Sequence, residues 1–217
     1  RIGARAGDDG HGQEVAEMKA AGLEWSTAAA TMPGETVSGD RHWAGSVANG
    51  MRFAVIDGLG HGRAAAAAAK IAVAMLQQYA GDPLIELLLR CHESLRATRG
   101  VAMSLAEFNT EDSVLTWIGV GNVEGALLHL EPKRPCDKLL LRNGVVGSHL
   151  ATLRAEELLI RPGDILTMVT DGVTAEHPTR VAMDAKVESI ADGILASTYK
   201  GNDDALVLVA RYRGTQP

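Results

Sequence analysis

The sequence predicts an α+β fold in which two antiparallel sheets face each other with helices outside. Three observations carry this. Strand-like segments fall in runs, in the order strands, two helices, many strands, one helix, one strand, and this is not the βαβ alternation of a doubly wound sheet. Short turn-forming connections separate most of these segments, as between antiparallel neighbours. The length of 217 residues, 46% apolar but only 4% aromatic, suits one core that needs no disulfide or metal staple.

The elements follow in order. Residues 1–22 mix Gly, Asp, Arg and His without an apolar period and read as a mobile arm, with a short helix at Glu14–Ala21. The domain then spans 23–213, and 214–217 form a tail. Leu23–Thr31, His42–Val47 and Met51–Ile56 read as strands, the last two joined by the two-residue hairpin signal Asn49-Gly50. Asp57–Gly62 is a tight turn, and a helix follows from about Arg63 to Tyr79. The alanines Ala64–Ala69 let that helix approach a sheet closely, with Ala67 as a test position. A second helix has Asp82 as N-cap and Pro83 at its first position, and runs to about Arg96 with Leu84, Leu87, Leu88, Cys91 and Leu95 on one stripe. Val101–Phe108, Val114–Val120, Val123–Leu130 and Lys138–Leu141 are strand-like, as are Leu158–Ile160 and Ile165–Thr170 around the turn at Arg161–Asp164. A mostly helical segment lies within Val181–Thr198, and Ala205–Tyr212 closes the chain.

Composition excludes several functions. With 21 basic and 27 acidic residues, net −6, the chain lacks the basic face that nucleic acid requires. No stretch approaches 18 apolar residues, so no membrane helix is expected, and residues 1–12 hold no signal core. Cys91 and Cys136 stand in no ligand or redox spacing and read as free thiols of a cytosolic protein. The histidines lack zinc spacing. The turn Asp57–Gly62 has neither the Gly-Lys-Ser/Thr ending of a phosphate loop nor the dinucleotide-binding spacing.

The chemistry points to aspartates at strand ends. Asp57 ends Phe53-Ala-Val-Ile, Asp171 ends Ile165–Thr170, Asp203-Asp204 precede the last strand, and Asp40 stands in Ser38-Gly39-Asp40. A carboxylate there sits on backbone rigid enough to aim it. Several aimed at one point repel one another unless a cation neutralises them, and all-oxygen ligands suit Mg²⁺ or Mn²⁺. Two such ions form a clamp for hydrolytic phosphoryl transfer. Taken singly, each Asp-Gly or Asp-Asp pair is also an ordinary turn.

Asp57-Gly58-Leu59-Gly60-His61-Gly62 resembles the glycine-rich turn of the PP2C-like (PPM) serine/threonine phosphatases, in their bacterial sporulation and stress-response branch. Ser38-Gly39-Asp40, Pro162-Gly163-Asp164 leading to Thr170-Asp171-Gly172-Val173, and Asn202-Asp203-Asp204-Ala205 are similar to that branch's other landmarks, in the same order. The resemblance runs from about Leu23 to Arg213. It implies a four-layer α-β-β-α sandwich with a centre of two Mn²⁺ or Mg²⁺ ions between the sheets. It also implies that Asp57 bridges both ions, the Gly58 carbonyl holds one, Asp171 and Asp203 hold the other, and Asp40 supports the metal-bound water that attacks. Asp204 is left open, since neighbours on a strand point to opposite sides. His61 reads as a turn residue, with help to a leaving group as the alternative.

Two departures bear on substrate. Residues 33–37 contain no arginine where eukaryotic members of the family grip phosphate, so binding rests on the metals, with Arg41 or Arg63 at hand. The segment around Glu176-His177-Pro178 leaves no room for a large flap, so the groove is expected to be open. Within the branch, Met32-Pro33-Gly34-Glu35 and Gly119–Gly125 are similar to the RsbX family. That resemblance implies phosphorylated stressosome scaffold or antagonist proteins as partners; the composition excludes nucleic acid and membrane as partners, and a monomer is the expectation. Two alternatives stand: a phosphatase of a single anti-sigma-factor antagonist, and an inactive partner-binding module.

Overall fold

Strand alternation builds the molecule from the middle outward. In the computed structural model, which describes residues 5–6, 22–174 and 181–214, residues of one strand parity meet in a common interior and those of the other turn out to helices. The first sheet runs in the order β1 (Arg5–Ala6), β3 (Asp40–Val47), β4 (Gly50–Gly58), β5 (Val101–Asn109), β6 (Val114–Val120) and β12 (Glu156–Leu159). The second runs β2 (Leu23–Ala30), β14 (Ala205–Tyr212), β13 (Ile165–Val169), β7 (Glu124–Leu128) and β8 (Asp137–Lys138). Every pairing in them is antiparallel except that of β9 (Leu141–Arg142), which lies parallel to β6. A separate ribbon joins β10 (Gly144–Val145) to β11 (His149–Leu150).

Between the sheets Phe53, Val55, Phe108 and Trp117 of the first meet Leu23, Trp25, Leu166, Met168 and Leu208 of the second. Phe53 stands edge-on to both Trp25 and Phe108, a favoured aromatic arrangement. On the outer face of the first sheet, Trp43, Ala54 and Ile56 receive α1 (Gly62–Gln78) and α2 (Leu84–Leu95). The outer face of the second, at Val207 and Val209, receives α3 (Val187–Thr198). The result is the expected α-β-β-α order.

Several expectations are corrected. The hairpin turn between β3 and β4 is Ala48-Asn49, one residue early, because Val47 already pairs with Gly50. Pro83, not Asp82, occupies the N-cap of α2, and the Asp82 carboxylate instead accepts a bond from Arg90. The segment Lys138–Leu141 is not one strand: β8 joins the second sheet and β9 the first. Gly121-Asn122 is not a hairpin, since β6 and β7 belong to different sheets. The chain crosses between them with Gly121 in the left-handed region at φ +95°, which glycine adopts without strain. Ala67 faces solvent, whereas Ala65, Ala66, Ala68, Ala69 and Ala72 are buried. Arg5–Ala6, assigned to the arm, pair with Ala44 and Trp43. The rest of the arm, including the Glu14–Ala21 helix, the segment around Glu176-His177-Pro178, and residues 215–217 lie outside the described residues. Both cysteines are free.

Candidate metal centre

Register brings the aspartates to one end of the sandwich. Asp40 and Asp57 are directly paired across β3 and β4, so both side chains leave the same face, toward the second sheet. Asp171 follows the end of β13, and Asp203 and Asp204 precede β14. These strands are antiparallel, with Val169 opposite Val207, so the three meet at the same edge. Gly58 follows Asp57 where α1 passes closely: a Cβ added there would lie 2.3 Å from the Ala65 carbonyl oxygen. Glycine is therefore required at 58 by the approach of the helix.

Each carboxylate has a distinct setting. Asp40 is buried and accepts a 2.7 Å bond from the Thr170 hydroxyl, which itself accepts the Leu206 amide at 2.8 Å. Its own backbone amide donates to the Ser38 hydroxyl at 3.0 Å. Asp171 is exposed and accepts the Asn122 side-chain amide at 2.7 Å. One Asp203 oxygen accepts the Asp204 amide at 2.8 Å. Asp204 is buried and faces inward, with both oxygens on backbone amides of Met32 and Gly39.

The electrostatics show one shared field. Burial first, then the charge of Asp171, pushes the Asp57 carboxyl up to about 7. Asp203 and Asp204 add to this, and a hydrogen bond from Asn122 offsets part of it. Asp40 is held well above the usual carboxylate range, by burial first and then by Asp57, against the opposing Thr170 bond. Among the described residues no three Asp, Glu, His or Cys side chains are already drawn into a ligand set. Mg²⁺ keeps several waters and needs only one or two carboxylates. A hard-oxygen donor set in which burial and neighbouring aspartates push up Asp40 and Asp57 fits a divalent cation.

All the site residues read from the sequence, Asp40, Asp57, Gly58, Asp171 and Asp203, therefore lie at this end. Of the two basic residues at hand, Arg41 donates to the carbonyls of Ser38 and Asp40, and Arg63 is exposed on α1. Sequence reasoning misses four contributors. Asn122 and Thr170 hold carboxylates in place, and both stand inside the motifs above without a role of their own. Lys200 donates its ammonium to the Asp171 carbonyl. Glu35 accepts from His61 at 2.5 Å. Only Glu35 has a signal, as the lone acid in the stretch before Ser-Gly-Asp.

Known proteins share this fold. Residues 48–213 match the family described as Stage II sporulation protein E (SpoIIE). The phosphoserine phosphatase RsbX of Bacillus subtilis is 22% identical over 179 residues, 82% of this chain and 89% of its own length. A solved chain of the bacterial stressosome, a modular system adapted to control secondary messenger signalling, is 26% identical, with a TM-score of 0.79, covering 87% of this chain and 99% of that one. RsbX in complex with magnesium has the same fold at 19% identity and TM-score 0.79, covering 96% and 98%. The catalytic domain of the serine/threonine phosphatase PstP with two manganese ions shares it at 16% identity and TM-score 0.62, covering 87% and 97%.

Proposed function

The chain belongs to the SpoIIE family of PP2C-type phosphatases, and from that premise we propose that it is a metal-dependent protein phosphatase acting on phosphoserine and phosphothreonine of stressosome scaffold or antagonist proteins, so resetting stress signalling. The observation that carries the reading is the set of aspartates at one sheet end, where burial and then neighbouring aspartates push up Asp40 and Asp57. Asp57, the Gly58 carbonyl, Asp171 and Asp203 would hold two Mn²⁺ or Mg²⁺ ions, with Asp40 behind them. When bound, the ions supply an acidified attacking water and neutralise charge on the phosphate oxygens. The chain's own residues aim the donors: Thr170 orients Asp40, Asn122 spans Asp57 and Asp171, and the Asp204 amide orients Asp203. Magnesium in the RsbX structure and manganese in PstP support the choice of ion.

The stressosome substrate is supported by the RsbX likeness and by the solved stressosome chain. The cytoplasm is the proposed place of action; among the described residues no helix is long and apolar enough to cross a membrane. The test is phosphate release with Mn²⁺ or Mg²⁺ from purified phosphorylated scaffold and from isolated phosphorylated antagonist. Faster release from the scaffold is expected. Preference for the antagonist selects the narrower phosphatase, and no release with metal bound leaves a partner-binding module.

A further inference from the structure

Asp204 differs from the other carboxylates at this end in how its oxygens are used. It is 3% exposed, and Oδ2 accepts the Gly39 amide at 2.7 Å while Oδ1 accepts the Met32 amide at 2.8 Å. These two amides mark the start and finish of the 32–39 loop, which leaves β2 of the second sheet and enters β3 of the first. One carboxylate on the approach to β14 thus closes the base of a loop that crosses between sheets. Drawing it onto a cation would strip two amides of their partner, a costly change in a buried setting.

The loop carries Glu35 at its tip. Its backbone turns there, with the Glu35 amide donating to the Met32 carbonyl at 3.0 Å. The Glu35 carboxylate accepts from His61 Nδ1 and lies against Gly62, where an added Cβ would meet it at 2.7 Å. His61 stands four residues beyond Asp57 at the start of α1, without any cap bond from its own side chain. Hydrogen bonds thus tie Asp204 to the base of the loop at Met32 and Gly39, and tie the loop through Glu35 to His61 at the start of α1.

We propose that Asp204 is a positioning residue, not a metal ligand: it clasps the base of the 32–39 loop and, through Glu35, sets the place of His61 beside the reacting phosphate. Its effect on turnover rests on the phosphatase reading above, but its structural half does not. Asparagine at 204 keeps the volume yet can accept only one of the two amides well, since its NH₂ faces the other.

The test uses the whole chain with Asp204→Asn, Asp203→Asn, Glu35→Gln and the double variant Asp204→Asn/Glu35→Gln. Mn²⁺ affinity by calorimetry should stay within about twofold of wild type in Asp204→Asn and fall at least about tenfold in Asp203→Asn. Amide exchange at Met32 and Gly39 should quicken in Asp204→Asn while the strands keep their protection. On phosphoprotein, Asp204→Asn should lower kcat about tenfold, and the double variant should be no slower than the slower single, the mark of residues acting through one route. Loss of Mn²⁺ affinity in Asp204→Asn, or kcat losses that multiply, would overturn the proposal. If Asp204→Asn does not fold, protection of the Met32 and Gly39 amides in metal-free wild type decides: rapid exchange there ends the clasp. A wild type that binds Mn²⁺ without phosphatase activity would defeat the functional reading alone, because exchange and affinity still report on Asp204.

Discussion

At the end of the sandwich away from the candidate metal centre, Asp164 accepts the Leu130 and Arg161 amides at 3.1 and 3.0 Å and lies 3.0 Å from His129. The other His129 nitrogen meets Asp137 at 2.9 Å, and Arg134 reaches both carboxylates. Arg52 is likewise satisfied by Glu107 and by the carbonyls of Ala80 and Asp82. At the opposite end Asp40 and Asp57 face further aspartates and are pushed up in pKa. Both ends bury carboxylates, but at the first Arg134 reaches Asp164 and Arg52 reaches Glu107, whereas at the second Asp40 and Asp57 are pushed up by neighbouring aspartates. Burial of acid alone therefore does not mark a functional site. The mark is buried acid pushed up by neighbouring acid.

The largest effect expected from breaking this contrast is at Asp57. Asp57→Asn should lower turnover at least about 10²-fold, while leaving the metal-free protein no less stable, because it removes a repelling charge. Steady-state rates with Mn²⁺ and thermal melts in chelator check both halves. Near-normal rates would remove Asp57 from the centre.

The paired end should behave in the opposite sense. Asp164→Ala leaves two backbone amides and a buried His129 without their acceptor and should cost about 3–5 kcal/mol of stability. The folded fraction should keep its kcat. Denaturant titration beside kinetics at low temperature separates the two.

Dependence on pH sharpens the comparison next. The folded pKa of Asp57, about 7, lies above the ordinary value of 3.8, and Asp40 shifts the same way. Stability from this source is present in full below pH 4 and is lost as pH rises through 7, by at most about 4 kcal/mol for Asp57. Melts in chelator should fall across that window, and saturating Mn²⁺ should suppress the fall. A flat profile in chelator would mean that the carboxylates do not share a field.

The smallest effect concerns the helix that leans on the site. Ala65 lies within 3 Å of where a side chain on Gly39 would sit, so Ala65→Leu should cost about 1–3 kcal/mol. Ala67→Leu on the solvent face should change stability by no more than about 0.5 kcal/mol. Equal melting temperatures for the two variants would mean the helix is turned differently.

Much of this arrangement is legible in the chain of residues alone. The strands Val114–Val120 and Ala205–Tyr212 have the bounds their sequences predict, because apolar runs ended by turn residues are local signals. The aspartates are legible because each stands where such a run stops. Other features are not. Gly121-Asn122 looks like a hairpin link, yet it carries the chain to the other sheet and sets Asn122 against Asp171. Two residues in a connection do not reveal whether the next strand pairs or crosses. Nor does an alanine run reveal its buried face, since small residues tolerate both sides of a helix.

The sequence by itself determined the two-sheet class, the strand ends and the aspartates placed there, because alternation, turn chemistry and chain order are properties of neighbouring residues. Only the tertiary structure decided which of them share a field, that Asp204 turns to the Met32 and Gly39 amides rather than to the centre, and that Thr170, Asn122 and Glu35 serve as supports. Those contacts join residues as much as 172 positions apart, and their energies arise only once two sheets close on each other and exclude water.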